Sequence, residues 1–478
     1  MDKVCSRERI RQLPRPARVD FSFLSSQVEH ARPVVVLDDD PTGTQTVHGV
    51  HVVTDWSCST LRDVMAGSPR LFYILTNSRS YSLDRAIEIN TETAHNLAQV
   101  SEELGVDFDV ISRADSTLRG HYPGETDALR MTLEAETGWR FDGDILIPAF
   151  FEGGRFTLDD MHLVEDGDGI IPVGSSEFAQ DAAFGFESSD LPKWVEEKTN
   201  GRKKAQDIVS VSIEDIRVGG IPWILSKILP MGSEDVCVVN AVNYADLEAF
   251  TAALLDERCL HKRFIYRTAA SFVRVRAGIE PRPLLSPEEL VQGGDRDHGG
   301  LIVIGSYVQK TTEQFLALFS LPGMAKSELN VNRVLSCGTR ADEIKRVAAE
   351  ASEAMGNGLD AVVYTSRDLV VSDRPDRNLE ISRSVSDALV GVVERLTGRP
   401  RFMIAKGGIT SSDIATEGLG VRRAEVVGQV IPGVPVWRLG EESRLPGLHY
   451  VVFPGNVGGP SAIADVVRVF RAEGAAGR

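Results

Sequence analysis

Short apolar runs that stop abruptly at charged or small polar residues recur along this chain, and amphipathic stretches with helical spacing lie between them. That alternation constrains the fold more than any other feature. Continuously apolar strands separated by helices build α/β layers around a mostly parallel sheet. In the first half the expected strands are 33–38 (PVVVLD), 71–75 (LFYIL), 107–111 (DFDVI), 144–148 (DILIP), 235–240 (DVCVVN) and 263–267 (RFIYR). A helix over 84–104 places Ala94, Leu97, Ala98 and Leu104 on one face and ends at Gly105; Asn243 caps another, YADLEAFTAALLDE. A second series follows: strand 301–305, a helix from Thr311, helix 340–355, strand 360–365, helix 379–397 and strand 401–405.

A chain of 478 residues exceeds one ordinary domain. The Pro- and Gly-rich stretch 281–299 reads as a linker between an N-terminal domain over 30–280 and a C-terminal domain over 300–478. The expected class is α/β: two three-layer α/β domains with a ligand cleft between them. Residues 151–205, rich in Gly, Asp and Ser, break the rhythm and hold no convincing helix until their end. They read as an insertion, either a rim to a site or a plain surface excursion.

A formal net charge of −17 argues against nucleic acid or an acidic membrane as partner, because phosphates would be repelled over most of the surface. A small anionic substrate needs only a local basic pocket. No apolar run approaches membrane-spanning length, so a cytoplasmic protein is expected. Association with further copies of the chain, as a homo-oligomer, is left open. The five cysteines (5, 58, 237, 259 and 337) have no CxxC spacing and read as reduced thiols. His48 and His51 form HxxH in strand-like context, which aims them to opposite faces, so no protein metal ligand is assigned.

Ligands of open α/β sheets bind at the carboxyl ends of strands. There the segment VVVLDDDPTGTQ ends a buried strand on Asp38, Asp39 and Asp40. Three adjacent carboxylates repel one another and resist desolvation. Turn chemistry accounts for Asp40 but not for all three. After another strand comes ISRADSTLRGHYPGE, with Arg113, Asp115, Ser116, Thr117, Arg119 and Gly120; between the two lies LTNSRSYS, with Arg79. Acids and hydroxyls suit a polyol and guanidinium groups bind carboxylates bidentately, so these loops fit a hydroxylated anionic molecule. The C-terminal half offers glycine loops instead: Gly407-Gly408-Ile409-Thr410, Gly455-Asn456 with Gly458 and Gly459, and Gly305-Ser306. Backbone N–H groups in such loops bind anions, and three in one domain point to the phosphates of a nucleotide. Neither GxxxxGK[ST] nor a GxGxxG fingerprint after a strand occurs.

Over nearly its whole length the chain resembles the four-carbon acid sugar kinases, ATP-dependent enzymes that phosphorylate tetronates and 3-oxo-tetronates. Their Asp-Asp-x-Thr-Gly motif stands as Asp39-Asp40-Pro41-Thr42-Gly43. Their Lys-x-Asp-Ser-Thr-x-x-Gly motif stands as Arg113 to Gly120, with arginine in place of lysine. Gly305-Ser306, Gly407-Gly408-Ile409-Thr410 and Gly455-Asn456-Val457-Gly458 match the family's C-terminal loops. The Asp-Asp-Pro-Thr-Gly-Thr form with the 151–205 insertion looks like a distinct subgroup.

The resemblance implies that the N-terminal domain binds the sugar acid and the C-terminal domain binds ATP with Mg²⁺. On that reading Asp39 or Asp40 binds substrate hydroxyls and one of them is the base, with Asp115 as the rival. Arg79 and Arg113 hold the substrate carboxylate, and Ser116, Thr117 and Arg119 complete the substrate site. Ser306, Gly407, Gly408, Ile409, Thr410, Gly455 and Asn456 hold the nucleotide. Two other readings compete. Asp38-x-Asp40-x-Thr42 resembles the nucleophile loop of haloacid-dehalogenase-type phosphatases, and the chain could instead be a non-catalytic sensor of sugar acids.

Overall fold

The computed structural model describes residues 7–16, 18–167, 169–290, 297–305, 309–366, 375–455 and 457–472. The chain divides into two compact units, Met1–Pro281 and Arg282–Arg478.

The first unit carries β1 (Val34–Asp38), β2 (Val50–Val53), β3 (Leu71–Leu75), β4 (Asp109–Arg113) and β5 (Asp144–Ile147). It continues with β6 (Arg155–Leu158), β7 (Met161–Asp166), β8 (Gly169–Pro172), β9 (Val209–Val211), β10 (Val236–Val239) and β11 (Ile265–Thr268). Its main sheet has the order β2-β3-β1-β4-β11-β5-β10-β9, with every pair parallel. Strands covered on both faces must be apolar throughout, and all five residues of β1 are buried. The helix Leu83–Leu104 starts where the Ser82 side chain accepts from the Arg85 N–H, and it closes at Gly105. It buries Ala94, Leu97, Ala98 and Val100 in the core beside β1, β3 and β4. Each large apolar side chain of that face contributes roughly 1.5–3 kcal/mol, so Leu97→Ala is the change that would loosen this layer most directly.

Pairing rather than local pattern sets the strand ends. Asp109 to Arg113 align with Val34 to Asp38, which moves β4 two residues beyond the expected 107–111 and makes Arg113 its last residue. Residues 151–205 contain the antiparallel sheet β6-β7-β8 as well as the helix Leu191–Lys198 near their end.

The second unit holds β12 (Leu301–Ile304), β13 (Met324–Leu329), β14 (Asp360–Thr365), β15 (Met403–Lys406), β16 (Arg423–Ile431), β17 (Val434–Leu439) and β18 (His449–Phe453). The order is β13-β14-β12-β15-β18-β17-β16, parallel from β13 to β18 and antiparallel beyond. The unit's core gathers Ile302, Ile304, Ile404, Val436, Phe453 and Phe470. Leu285 and Leu290, in the stretch read from sequence as a linker, are buried in it too. The expected helices here run Gln309–Leu318, Arg340–Gly356 and Pro375–Glu394. Among the described residues no helix is long and apolar enough to cross a membrane.

Candidate functional site

The chain leaves β1 for β2 and β3 on one side and returns to β4 on the other. A strand order that reverses in this way opens a crevice at the carboxyl ends of the strands. The loops after β1, β3 and β4 therefore meet at one edge of the sheet, and backbone hydrogen bonds fix their relation. Thr76 and Asn77 donate N–H to the Asp38 carbonyl at 3.0 and 3.3 Å, Arg79 donates to the Asp39 carbonyl at 3.3 Å, and Asp39 donates to the Arg113 carbonyl at 3.2 Å.

These bonds bring together Asp39, Asp40, Arg79, Arg113, Asp115, Thr117 and Arg119. Arg79 Nη2 pairs with Asp40, and its Nη1 lies 3.3 Å from Asp115 Oδ1 and 4.0 Å from Asp39 Oδ1. Asp40 accepts from the Thr42 N–H at 2.8 Å and from the Thr42 hydroxyl. Burial alone would raise the Asp40 carboxyl, but Arg79 and Thr42 hold it below the usual carboxylate value. Asp115 accepts from Arg119 Nε at 2.9 Å, from the Thr117 N–H at 3.2 Å and from the Thr117 hydroxyl. Against the cost of burial, Arg119 and Arg79 keep it firmly ionised. Ser116 is buried beside them, and its carbonyl accepts from His162 Nε2 at 2.7 Å.

Asp38 and Asp39 differ from these two. Asp38 is 1% exposed, takes Arg113 Nη1 at 3.1 Å, and is pushed up to about 7 by burial even with Arg113 beside it. A Cβ at position 43 would clash with its carboxylate, so Gly43 is the lid over Asp38. Its carboxylate is thus held against Arg113 and packed under Gly43, an arrangement that does not favour the nucleophile role the Asp38-x-Asp40 reading required. Asp39 is 3% exposed, and neither carboxylate oxygen has a hydrogen-bond partner. Burial and the nearby Glu125 raise it to about 6, against the opposing pull of Arg79, Arg113 and Arg267.

Gly120 makes this approach feasible. Its φ of +118° suits glycine, and a Cβ there would stand 2.8 Å from Arg267 Nη2 and 3.1 Å from Asp39 Oδ2. Glu125 accepts from the Ser78 hydroxyl at 2.5 Å and lies 3.4 Å from Arg267 Nη1. Glu125 and Arg267 escaped the sequence reading, although Arg267 carries the signal that exposed Asp38: a charge near the end of a buried strand. Also unread were Arg155, His162, Phe178 and Asp181 of the 151–205 segment. Asp181 lies 3.4 Å from Arg119 Nη1, and the Phe178 ring lies 5.1 Å from the Arg119 guanidinium. His162 is lowered to about 4 by burial, hence neutral. A carbonyl only accepts, so its Nε2 carries the hydrogen donated to Ser116, and Nδ1 accepts from the Thr157 hydroxyl at 3.0 Å.

In the second unit the glycine loops follow β15 and β18. Gly407 has φ +115° and opens the helix Gly408–Asp413; Ser411 donates its N–H to the Gly407 carbonyl at 2.9 Å. Gly305 leaves room for the Thr410 side chain, which a Cβ would meet. Ile409 is 53% exposed beside these glycines. Lys406 Nζ, fully buried, donates to the carbonyls of Pro454 and Gly455 at 2.6 and 3.0 Å. Gln314 Nε2 donates to those of Val457 and Gly459 at 3.1 and 3.0 Å. Ser306 and Asn456 lie outside the described residues. His48 donates from Nε2 to the Glu280 carbonyl at 2.9 Å. Among the described residues no group of three or more His, Cys, Asp or Glu could hold a metal ion.

Residues 34–276 match the family model of a sugar-binding N-terminal domain, and residues 301–463 match that of a nucleotide-binding C-terminal domain. A 3-oxo-isoapionate kinase of Paraburkholderia graminis is 25% identical over 277 residues, 52% of this chain and 58% of that protein; the match thus spans less than two thirds of the relative. The fold is shared with a Salmonella typhimurium LT2 protein of known structure (TM-score 0.65, 18% identity, covering 92% of this chain and 99% of that one). It is shared also with a Haemophilus influenzae protein (TM-score 0.58, 17% identity, 91% and 100% covered).

Proposed function

The chain belongs to the four-carbon acid sugar kinase family, and from that premise we propose that it transfers the γ-phosphoryl group of ATP to a hydroxyl of a small sugar acid of the tetronate or 3-oxo-tetronate type. One observation carries the reading. At the carboxyl end of the central strand, Asp39 is a buried carboxylate whose oxygens lack donors, amid aspartates that have theirs. Leaving such a group unsatisfied is costly, and a substrate hydroxyl is the donor that would satisfy it.

Asp39 is accordingly the proposed base. A carboxyl poised near 6 accepts a proton more readily than Asp40 or Asp115, whose oxygens are engaged by arginine and threonine. The acceptor hydroxyl gives its proton to Asp39, its oxygen bonds to the γ-phosphorus, and the bond to the β-phosphate oxygen breaks to release ADP. A shift of the Gly120 turn admits the hydroxyl, since that turn covers Asp39. Asp40 and Asp115 act by holding Arg79 and Arg119 in position, and Ser116 and Thr117, buried beside them, complete the substrate site. In the second unit Gly407, Gly408, Thr410 and Gly455 present backbone to the phosphates, and exposed Ile409 offers an apolar face to the base. Ser306 and Asn456 belong to the same proposal through their motifs. Mg²⁺, when bound, would supply charge neutralisation between the phosphates.

The test is ADP release from ATP and Mg²⁺ against a panel of four- to six-carbon sugar acids and their 3-oxo forms. One acid giving stoichiometric ADP and a phosphorylated product supports the kinase. Ligand binding without ADP would favour a sensor, and phosphate release from sugar phosphates a phosphatase.

A further inference from the structure

Four of the arginines around the site already face a carboxylate: Arg79 faces Asp40 and Asp115, Arg113 faces Asp38, Arg119 faces Asp115, and Arg267 faces Glu125. Arg155, the first residue of β6, does not. It is 7% exposed, and among the described residues no carboxylate lies within 4.0 Å of it. Its Nη1 donates to the Gly153 carbonyl at 2.5 Å, and its Nε has no acceptor. Burial lowers its proton affinity, with Asp115 only partly opposing that effect. A buried guanidinium without a counter-charge is expensive to keep.

The backbone nonetheless reserves its place. Arg155 exchanges two hydrogen bonds of 2.9 Å with Phe150, and a Cβ at Gly153 would clash with Arg155 Nη1. The guanidinium lies 5.8 Å from the Phe178 ring, the ring that also faces Arg119. The His162 bond to Ser116 pins this antiparallel sheet to the loop bearing Asp115. Arg155 is therefore part of the wall around Asp115 and Arg119, and it is the wall's one uncompensated cation among the described residues.

We propose that Arg155 binds the carboxylate of the sugar acid, so that the 151–205 segment supplies the specificity for an acid over the corresponding neutral polyol. The proposal rests on the sugar-acid reading of the site. It assigns the carboxylate to the cation that no carboxylate already pairs, whereas Arg79 is paired with Asp40 and Asp115 and Arg113 with Asp38. Guanidinium and carboxylate pair through parallel N–H donors, a geometry that lysine cannot reproduce.

The experiment is calorimetric titration of the full chain with erythronate, threonate, and the uncharged erythritol and threitol, for the wild type, Arg155→Gln and Arg155→Lys, with a thermal melt of each. Loss of a charge-assisted hydrogen bond predicts about 10- to 100-fold weaker acid binding in Arg155→Gln. Arg155→Lys should fall between, and tetritol and ATP affinities should stay unchanged. Equal weakening for acid and tetritol, or undiminished acid binding in a folded Arg155→Gln, overturns the proposal. If Arg155→Gln fails to fold, Arg155→Lys decides by the same comparison. A wild type that binds neither acid overturns the underlying sugar-acid reading for these acids, and this assignment with it. Binding by the wild type without loss in the variants overturns the assignment alone.

Discussion

Asp39→Asn should stabilise the folded chain while sharply cutting its activity, whereas Asp40→Asn should destabilise it. The Asp39 carboxyl is raised from 3.8 to about 6, chiefly by burial. Above that pH its ionised form costs folding on the order of 3 kcal/mol. The sign follows from proton binding. Between 3.8 and about 6 the folded chain keeps a proton that the unfolded chain has lost, so stability from this group is full below 3.8, falls through that window and is flat above it. Asparagine mimics the neutral form. The variant should gain up to ~3 kcal/mol at pH 8, a melting point several degrees higher, and nothing at pH 3.5. Its rate of ADP formation should drop at least ~10²-fold. Asp40, held below its usual value by Arg79 and Thr42, should instead lose roughly 2 kcal/mol as Asp40→Asn. Melting curves of both variants at pH 8, beside their activities, make the comparison. An Asp39→Asn protein that melts lower than wild type at pH 8, or turns over normally, refutes the argument.

Three further outcomes follow from the same geometry. In the wild type, kcat/KM for the sugar acid should rise with pH through about 6, the value set for free Asp39; a profile flat from pH 5 to 8 would remove Asp39 as base. Gly120→Ala forces a Cβ toward Arg267 and Asp39 at a φ of +118° and should cost about 1–3 kcal/mol in a thermal melt with loss of sugar-acid binding. Gln314→Ala removes the side chain that ties down the 457–459 turn. The KM for ATP should rise about tenfold, with sugar-acid affinity unchanged.

The sequence was most legible where local chemistry and tertiary demand coincide. β1 and β3 are apolar without interruption because parallel strands are buried on both faces, and they stand where the pattern set them. The helix Leu83–Leu104 was readable from its apolar face and terminal glycine. β6 to β8 were hidden, since all three are short, and β7 and β8 are only partly buried, one ending on Asp and the other starting on Gly. The β16–β17 hairpin carries register shifts near Gly428 and a proline, Pro435, which blur its alternation. At the site, the aspartates and arginines of the post-strand loops could be gathered from sequence, because a charge ending a buried strand needs a reason. How they divide the work could not. That Asp40 and Asp115 are consumed by Arg79 and Arg119 while Asp39 lacks donors depends on which oxygen each guanidinium reaches. Arg155 offered still less signal, because its isolation from any carboxylate exists only once the antiparallel sheet is folded.

The most direct measurement is the phosphorus NMR spectrum of ATP, Mg²⁺ and the sugar acid incubated with wild-type protein or with Asp39→Asn, after showing by titration that both bind both ligands. A new phosphomonoester resonance growing with ADP in the wild type, and absent at equal time in Asp39→Asn, is the predicted result. The same resonance appearing at the same rate in the variant would contradict proton transfer to Asp39, and its absence in the wild type with every acid that binds would contradict the kinase itself.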